Sequence, residues 1–132
     1  MREILFRGKR IDNGRWEYGA YVRYGFMGKE KPYIVPSFAS ALYANEVDPE
    51  TVGQFTGLTD KNGKKIFEGD IVKVKGFNYP QKVVYNEQKC CYEWISLETD
   101  FHFGIYEVKR LCEVVGNIYD NPELLGESNE HH

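Results

Sequence analysis

The sequence predicts a mostly β protein: an N-terminal β-hairpin lobe over residues 1–55 packed with a small barrel or roll over residues 56–126, with few short helical turns. Three observations predict it. Ten Tyr, eight Phe and two Trp make up 15% of the 132 residues, a composition that favours strands. Thirteen glycines, several in Asn-Gly or Gly-Asp pairs, punctuate the chain with turns. Short runs such as Ile71-Val72-Lys73-Val74-Lys75 alternate apolar and charged residues with the period of a strand. There is no solenoid period and no low-complexity tract.

The first unit is a hairpin. Ile4–Ile11 and Arg15–Val22 are strand-like runs joined by Asp12-Asn13-Gly14, where Asn and Gly accept positive φ. Alternation puts Trp16 and Tyr18 on one face and Glu17 on the other; the two aromatics are expected in the core, with a binding platform as the alternative. Residues 24–31 read as a loop. Pro32-Tyr33-Ile34-Val35-Pro36, with a proline at each end, reads as an edge strand or connector. Ser40–Glu46 is expected to make a helical turn. Val47-Asp48-Pro49-Glu50-Thr51-Val52-Gly53 has a capping Asp, a Pro at the first helical position and a closing Gly.

The second unit begins with turns. Asp60-Lys61-Asn62-Gly63 and Glu68-Gly69-Asp70 flank the short strand Lys64–Phe67 and lead into Ile71–Lys75, with Val72 and Val74 on one face and Lys73 and Lys75 on the other. Gln81–Asn86, Cys91–Leu97 and Leu111–Tyr119 follow as strands, and Asn121-Pro122-Glu123-Leu124-Leu125-Gly126 has the cap, Pro and Gly of a last helical turn. Five or so short strands this close together suggest a small barrel or roll. Entry into a strand through Glu-Gly-Asp-Ile-Val is an SH3-like feature. Residues 127–132 are expected to be a disordered tail, and His131-His132 look like the remnant of a purification tag.

A chain of this size buries roughly 65–70% of its unfolded surface, so it folds without a disulfide or metal staple. No apolar run is long enough for a transmembrane helix, and Arg2 and Glu3 come too early for a signal peptide, so a cytoplasmic location and no membrane partner are expected. Cys90, Cys91 and Cys112 are odd in number and lack metal-ligand spacing, which makes them structural thiols that are buried or half-buried. Adjacent Cys90 and Cys91 would face opposite sides of a strand. Setting aside His131 and His132, His102 is the only histidine, which leaves a hydrolytic triad or a His-rich metal site little to stand on.

Charge is segregated along the chain. Residues 1–31 carry a net +4, residues 32–60 a net −4, residues 61–89 a net +4 and residues 90–132 a net −7. The blocks either neutralise one another, within the fold or between subunits, or present a basic face to a polyanion. Neutralisation is the simpler expectation.

Each candidate chemistry meets a structural explanation. Asp60-Lys61-Asn62-Gly63 resembles the start of a calcium loop, but its Gly falls at the fourth position and lysines follow where oxygen ligands are needed. Glu68 and Asp70 would share a face in one continuous strand and, with a lysine, could serve a metal-dependent nuclease, yet Gly69 between them reads as a turn. No Gly-rich phosphate loop feeds a helix. The remaining candidate is a nucleic-acid or partner surface made of Lys64, Lys65, Lys73, Lys75 and Lys82 with Phe77 and Tyr79. Lysines neutralise phosphate and aromatics stack bases. Lysines on a strand's outer face also serve solubility and edge protection.

Four stretches together carry a family resemblance: Phe6-Arg7-Gly8-Lys9 followed by Trp16; Val47–Leu58; Asp60–Val72; and Val114-Val115-Gly116-Asn117-Ile118-Tyr119-Asp120-Asn121-Pro122-Glu123-Leu124-Leu125. In combination they resemble the YopX-like proteins of bacteriophages and prophages, over about residues 1–126. Residues 24–46 and 86–110 lie outside these motifs. The resemblance implies a mostly β protein with an SH3-type barrel and a phage or prophage origin in a bacterial host. It implies no activity and brings no catalytic or ligand residues. The expected function is therefore that of a non-catalytic accessory protein acting by binding, without a cofactor, as a homo-oligomer or with a phage or host protein. Nucleic-acid binding is the alternative, and a metal-dependent nuclease the more remote one.

Overall fold

The computed structural model describes residues 2–36, 43–77, 79–96, 102–104 and 111–124. They form a mostly β protein with two antiparallel sheets. The chain divides into two compact units, Met1–Phe55 and Thr56–His132.

In the first unit, β1 (Phe6–Lys9) and β2 (Trp16–Tyr24) pair antiparallel, with Phe6 opposite Gly19 and Lys9 opposite Trp16. The turn closes as Asp12-Asn13-Gly14 foretells: Gly14 has φ +71°, and the Asn13 side chain accepts the Arg15 N–H at 2.9 Å. Strand β3 (Lys31–Pro36) pairs along its full length with β2, and β4 (Asn45–Glu46) pairs with β3 on the other side. Two expectations are corrected here. Residues 32–36 are an internal strand rather than an edge or connector, because β4 covers the outer side of β3 opposite Tyr33 and Ile34. Asn45 and Glu46 are strand rather than helical turn, while residues 37–42 lie outside the described residues.

The Asp48-Pro49-Glu50-Thr51 segment is one 3-10 turn, Pro49–Thr51, with the Asp48 carboxylate accepting the Glu50 N–H. Thr51 fixes this turn to β1: its hydroxyl donates to the Asp48 carbonyl at 2.7 Å and accepts the Lys9 N–H at 2.9 Å. Ile34, Val47 and Phe55 are buried here, as are Pro32 and Pro36 of β3. Trp16 and Tyr18 are not core. Trp16 is half-buried beneath cations, with the buried Arg7 guanidinium 4.7 Å from its ring centre and the Lys9 ammonium 5.7 Å away, and Tyr18 is exposed.

Strand β5 (Gly53–Thr59) belongs to both units; its first residues, Gly53 and Gln54, pair with Arg7 and Phe6. In the second unit, β6 (Lys65–Phe67) lies beside β5, and Thr56 donates its hydroxyl to the Ile66 carbonyl. The second sheet has the order β10-β9-β8-β7-β11, from β7 (Asp70–Val74), β8 (Gln81–Asn86), β9 (Cys91–Ser96), β10 (His102–Gly104) and β11 (Cys112–Asn117). It is a four-strand meander, β7 to β10, with a fifth strand, β11, returning beside β7. Its core is Ile66, Val72, Val74, Val83, Trp94, Cys112 and Val114, with Leu58 and Tyr92 packed against it. Val72 and Val74 face this core, as their alternation with lysine requires.

Among the described residues no helix is long and apolar enough to cross a membrane. The expected last helical turn is present as two helical residues, Glu123 and Leu124, with the Leu124 N–H bonded to the Asn121 carbonyl. The tail expected over 127–132 lies outside the described residues.

Candidate functional site

The residues with potential chemistry converge on the outer side of β7 and β11. Strand β7 ends at Val74, and a tight turn follows in which the Phe77 N–H donates to the Val74 carbonyl at 3.0 Å. Phe77 is 39% exposed and Tyr79 51% exposed on the connection to β8. Gln81, buried at the start of β8, donates its side-chain amide to the Tyr79 carbonyl at 3.0 Å and so anchors that connection from below. Across the sheet, Glu113 of β11 stands opposite Lys73, and the Lys75 N–H donates to the Leu111 carbonyl. The result is an open cleft of about 420 Å³, walled by Lys73, Lys75, Phe77 and Tyr79 on one side and by Lys61, Leu111 and Glu113 on the other.

Four of the seven residues singled out from sequence thus come together: Lys73, Lys75, Phe77 and Tyr79. The other three do not line this cleft. Lys64 and Lys65 are exposed on the far limb of the Asp60 turn, at the entry to β6. Lys82 is half-buried and lies opposite Ile71, nearer the start of β7. Lys61 was missed although it belongs to the same basic segment, and its count alone would have included it. Leu111 and Glu113 could not be found locally, since only the pairing of β11 with β7 brings them there.

Charge blocks do meet in places, as at Lys31–Glu46 (3.9 Å) and Lys89–Glu93 (3.4 Å). In the cleft they do not: among the described residues, none forms an ion pair with Lys61, Lys73 or Lys75. The neutralisation expected from the charge pattern thus does not reach these three lysines among the described residues.

The acids that looked catalytic have structural employment. Asp60 is buried, and its carboxylate takes three backbone N–H groups: Asn62 (2.8 Å) and Lys64 (2.9 Å) on one oxygen, Val114 (2.9 Å) on the other. Burial alone would raise its pKa, but the bonds from Val114, Lys64 and Asn62, with the Lys64 charge, hold the carboxyl below its ordinary value. The loop that resembles a calcium site is thus a turn folded around its own aspartate. Asp70 is 2% exposed and accepts the Phe67 N–H at 2.7 Å, which closes the Glu68-Gly69 turn between β6 and β7. It is a buried turn-former rather than one of two exposed, convergent carboxylates. Among the described residues no group of three or more His, Cys, Asp or Glu is placed to hold a metal ion.

The last motif locks onto the Glu68-Gly69-Asp70 turn. The Ile118 N–H donates to the Gly69 carbonyl, and the Gly69 N–H to the Val83 carbonyl, both at 2.9 Å. Gly69 has φ +91°, and a Cβ there would lie 3.1 Å from the Tyr119 ring. The Asn117 side chain accepts the N–H groups of Tyr119 and Asp120, while Asn121 Oδ1 accepts the Asn117 N–H.

The cysteines need one correction. Cys90 is exposed, with φ +55°, in the turn that precedes β9, so it is neither buried nor part of a strand shared with Cys91. Cys91 is half-buried. Cys112 is fully buried, and desolvation, reinforced by the nearby Asp60 charge, pushes its thiol up to about 11.

Comparison with solved structures finds a similar fold in the crystal structure of protein EF1440 from Enterococcus faecalis, with a TM-score of 0.53 and 23% sequence identity over 95% of this chain and 99% of that one. Comparison with curated proteins gives no match. The family model for "YopX protein" matches residues 5–126, which takes in the hairpin, the Asp60–Val72 block and the closing Val114–Leu125 motif alike. The chain belongs to the YopX protein family.

Proposed function

We propose that this protein is a phage or prophage accessory protein that acts by binding, without catalysis or a cofactor, in the host cytoplasm, and that its binding surface is the lysine–aromatic cleft. The observation that carries this reading is the meeting of three lysines without an ion-pair partner among the described residues, Lys61, Lys73 and Lys75, with two exposed rings, Phe77 and Tyr79, in one depression. Three cations this close together repel one another and are relieved by an anionic ligand. The employment of Asp60 and Asp70 in backbone bonds supports a non-catalytic role.

Retention on heparin tests the reading. The protein should bind at about 50 mM salt and elute well below 1 M. The Lys73→Ala/Lys75→Ala pair should weaken binding tenfold or more and lower the salt dependence by about one ion per lysine removed. Binding unchanged in that pair would overturn the assignment. Magnesium-dependent cleavage of nucleic acid, lost in Asp70→Asn, would instead revive the nuclease alternative.

A second reading, self-association, is favoured by a separate observation. The tip of the β2–β3 hairpin carries Phe26 and Met27 at 80% and 95% exposure, which is unusual for large apolar side chains in a lone subunit. A second copy of this chain is the proposed occupant. Light scattering on a sizing column should show a homo-oligomer that Phe26→Ser/Met27→Ser reduces to a monomer. A strict monomer at high concentration overturns this.

A further inference from the structure

We infer that the cleft is specific for single-stranded nucleic acid and that Glu113 contributes base preference. This rests on the reading of the cleft as an anion site and goes beyond it in two respects. First, phosphate attraction alone needs lysines and no rings. Phe77 and Tyr79 sit two residues apart on one connection, half-exposed, on the same cleft as Lys73 and Lys75. Rings beside cations suit a ligand that offers flat apolar faces along an anionic backbone, and unpaired bases do so. A duplex keeps its base faces stacked inside and would meet only the lysines. A sulfated sugar or an acidic peptide would leave both rings unused.

Second, the cleft contains a carboxylate. Glu113 stands opposite Lys73, and among the described residues its Oε2 accepts a long bond, 3.3 Å, from the Asn62 side-chain amide. Toward a bare polyanion an acid here is unfavourable. Toward a base it is an acceptor for an exocyclic amino group, the pairing that carboxylates make with cytosine. Asn62 keeps this carboxylate oriented from the Asp60 turn. Gln81, which holds the Tyr79 carbonyl, is a positioning residue for the ring side.

Fluorescence anisotropy with labelled strands of about 12 nucleotides, a length suited to such surfaces, provides the test. The probes are oligo(dC), oligo(dT), a mixed-sequence single strand, its duplex, and heparin as competitor. Single strands should bind at least tenfold tighter than the duplex, and oligo(dC) tighter than oligo(dT). Phe77→Ala/Tyr79→Ala should weaken single-strand binding tenfold or more and leave heparin retention unchanged. If that pair lowers the melting temperature, Phe77→Leu/Tyr79→Leu keeps the apolar bulk without the rings and should show the same loss of single-strand binding. Glu113→Gln should erase most of the dC-over-dT difference. Lys64→Ala, a lysine of the same segment outside the cleft, should change little. Equal binding of duplex and single strand, or ring variants that bind single strands normally, overturns the inference while the anion site stands. A dC-over-dT preference that survives Glu113→Gln overturns the role of Glu113. Failure of every probe, heparin included, overturns both the inference and the site.

Discussion

The Asp60 carboxylate accepts the backbone N–H of Val114 at 2.9 Å across 54 residues of sequence. On the same side of β11, the Lys61 N–H donates to the Cys112 carbonyl at 3.1 Å. Backbone groups two residues apart on a strand point the same way, and β7 occupies the other side of β11. The Asp60 turn therefore covers the outer edge of the last strand, which would otherwise present unpaired N–H and C=O groups to another chain. One aspartate closes its own turn, seals a sheet edge and places Lys61 and Asn62 beside the cleft.

Replacing Asp60 should consequently be costly. Asp60→Ala leaves three N–H groups without their acceptor, and Asp60→Asn turns an amide donor toward one of them. A loss of about 3 kcal/mol is expected for Asp60→Ala, read as a lower urea midpoint, together with concentration-dependent aggregation through the opened edge. The pH dependence has a defined sign. The folded carboxyl titrates below its unfolded value of 3.8, so its stabilisation is fully present above that pH and disappears as pH falls through the folded pKa. The stability difference between wild type and Asp60→Ala should shrink below pH 3.8; a difference that stays constant to lower pH would contradict the assignment.

The closing motif makes a second prediction about stability. A Cβ on Gly116 would collide with Asn121 Oδ1, the atom that accepts the Asn117 N–H, and a Cβ on Gly69 would press on Tyr119 at a φ of +91°. Gly116→Ala and Gly69→Ala should each cost on the order of 2 kcal/mol, seen as a drop in melting temperature. Gly14→Ala, in a turn with open space around it, should cost less. Gly14 and Gly69 share a positive φ, so equal losses at these two would show that backbone conformation alone is responsible at Gly69, and no loss in Gly116→Ala would show that the lock between the two motifs contributes nothing.

These contacts explain what was legible in the sequence. Strand β8 alternates buried and half-buried positions, and β7 sets exposed Lys73 between buried Val72 and Val74, so these strands were readable from their period. The Pro32–Pro36 run misled because prolines favour edges, whereas β4, only two residues long and without any alternation to detect, makes that strand internal. Trp16 looked like core because large aromatics usually are, but a buried arginine supplies its neighbour. The basic half of the cleft was visible as a local run of lysines and rings. Its other half depends on the return of β11 beside β7, a pairing that no local pattern encodes.

Cys112 allows a prediction at high pH. Its thiol is raised from 9.0 to about 11 by burial first and by Asp60 second. A raised folded pKa contributes stability that is complete below the unfolded pKa and is lost as pH climbs through the folded one. Between pH 9 and 11 the wild type should lose roughly 2–3 kcal/mol relative to Cys112→Val, apart from the titration of Tyr and Lys that both proteins share. Thiol labelling gives an independent check: exposed Cys90 should react at once with a disulfide reagent near neutral pH, while Cys112 should react only on unfolding. Prompt labelling of Cys112 in the native state would contradict its burial.

Arg7 and Trp16 give the last test. Arg7 is buried with its guanidinium carbon 4.7 Å from the Trp16 ring centre, and Lys9 approaches the same ring at 5.7 Å. A partly desolvated cation over an aromatic face gains about 1–2 kcal/mol from the ring quadrupole. Trp16→Leu keeps an apolar side chain but removes the quadrupole, so it should cost about 2 kcal/mol, while Trp16→Phe, which retains a weaker one, should cost about half as much. Area burial makes a different forecast, because Leu and Phe bury similar apolar surface and would then cost nearly the same. Urea unfolding of the two variants separates these outcomes. Arg7→Met adds a control: if the ring–cation contact matters, the penalty for Trp16→Leu should fall by at least half in the Arg7→Met background, and an unchanged penalty would assign Trp16 to simple packing.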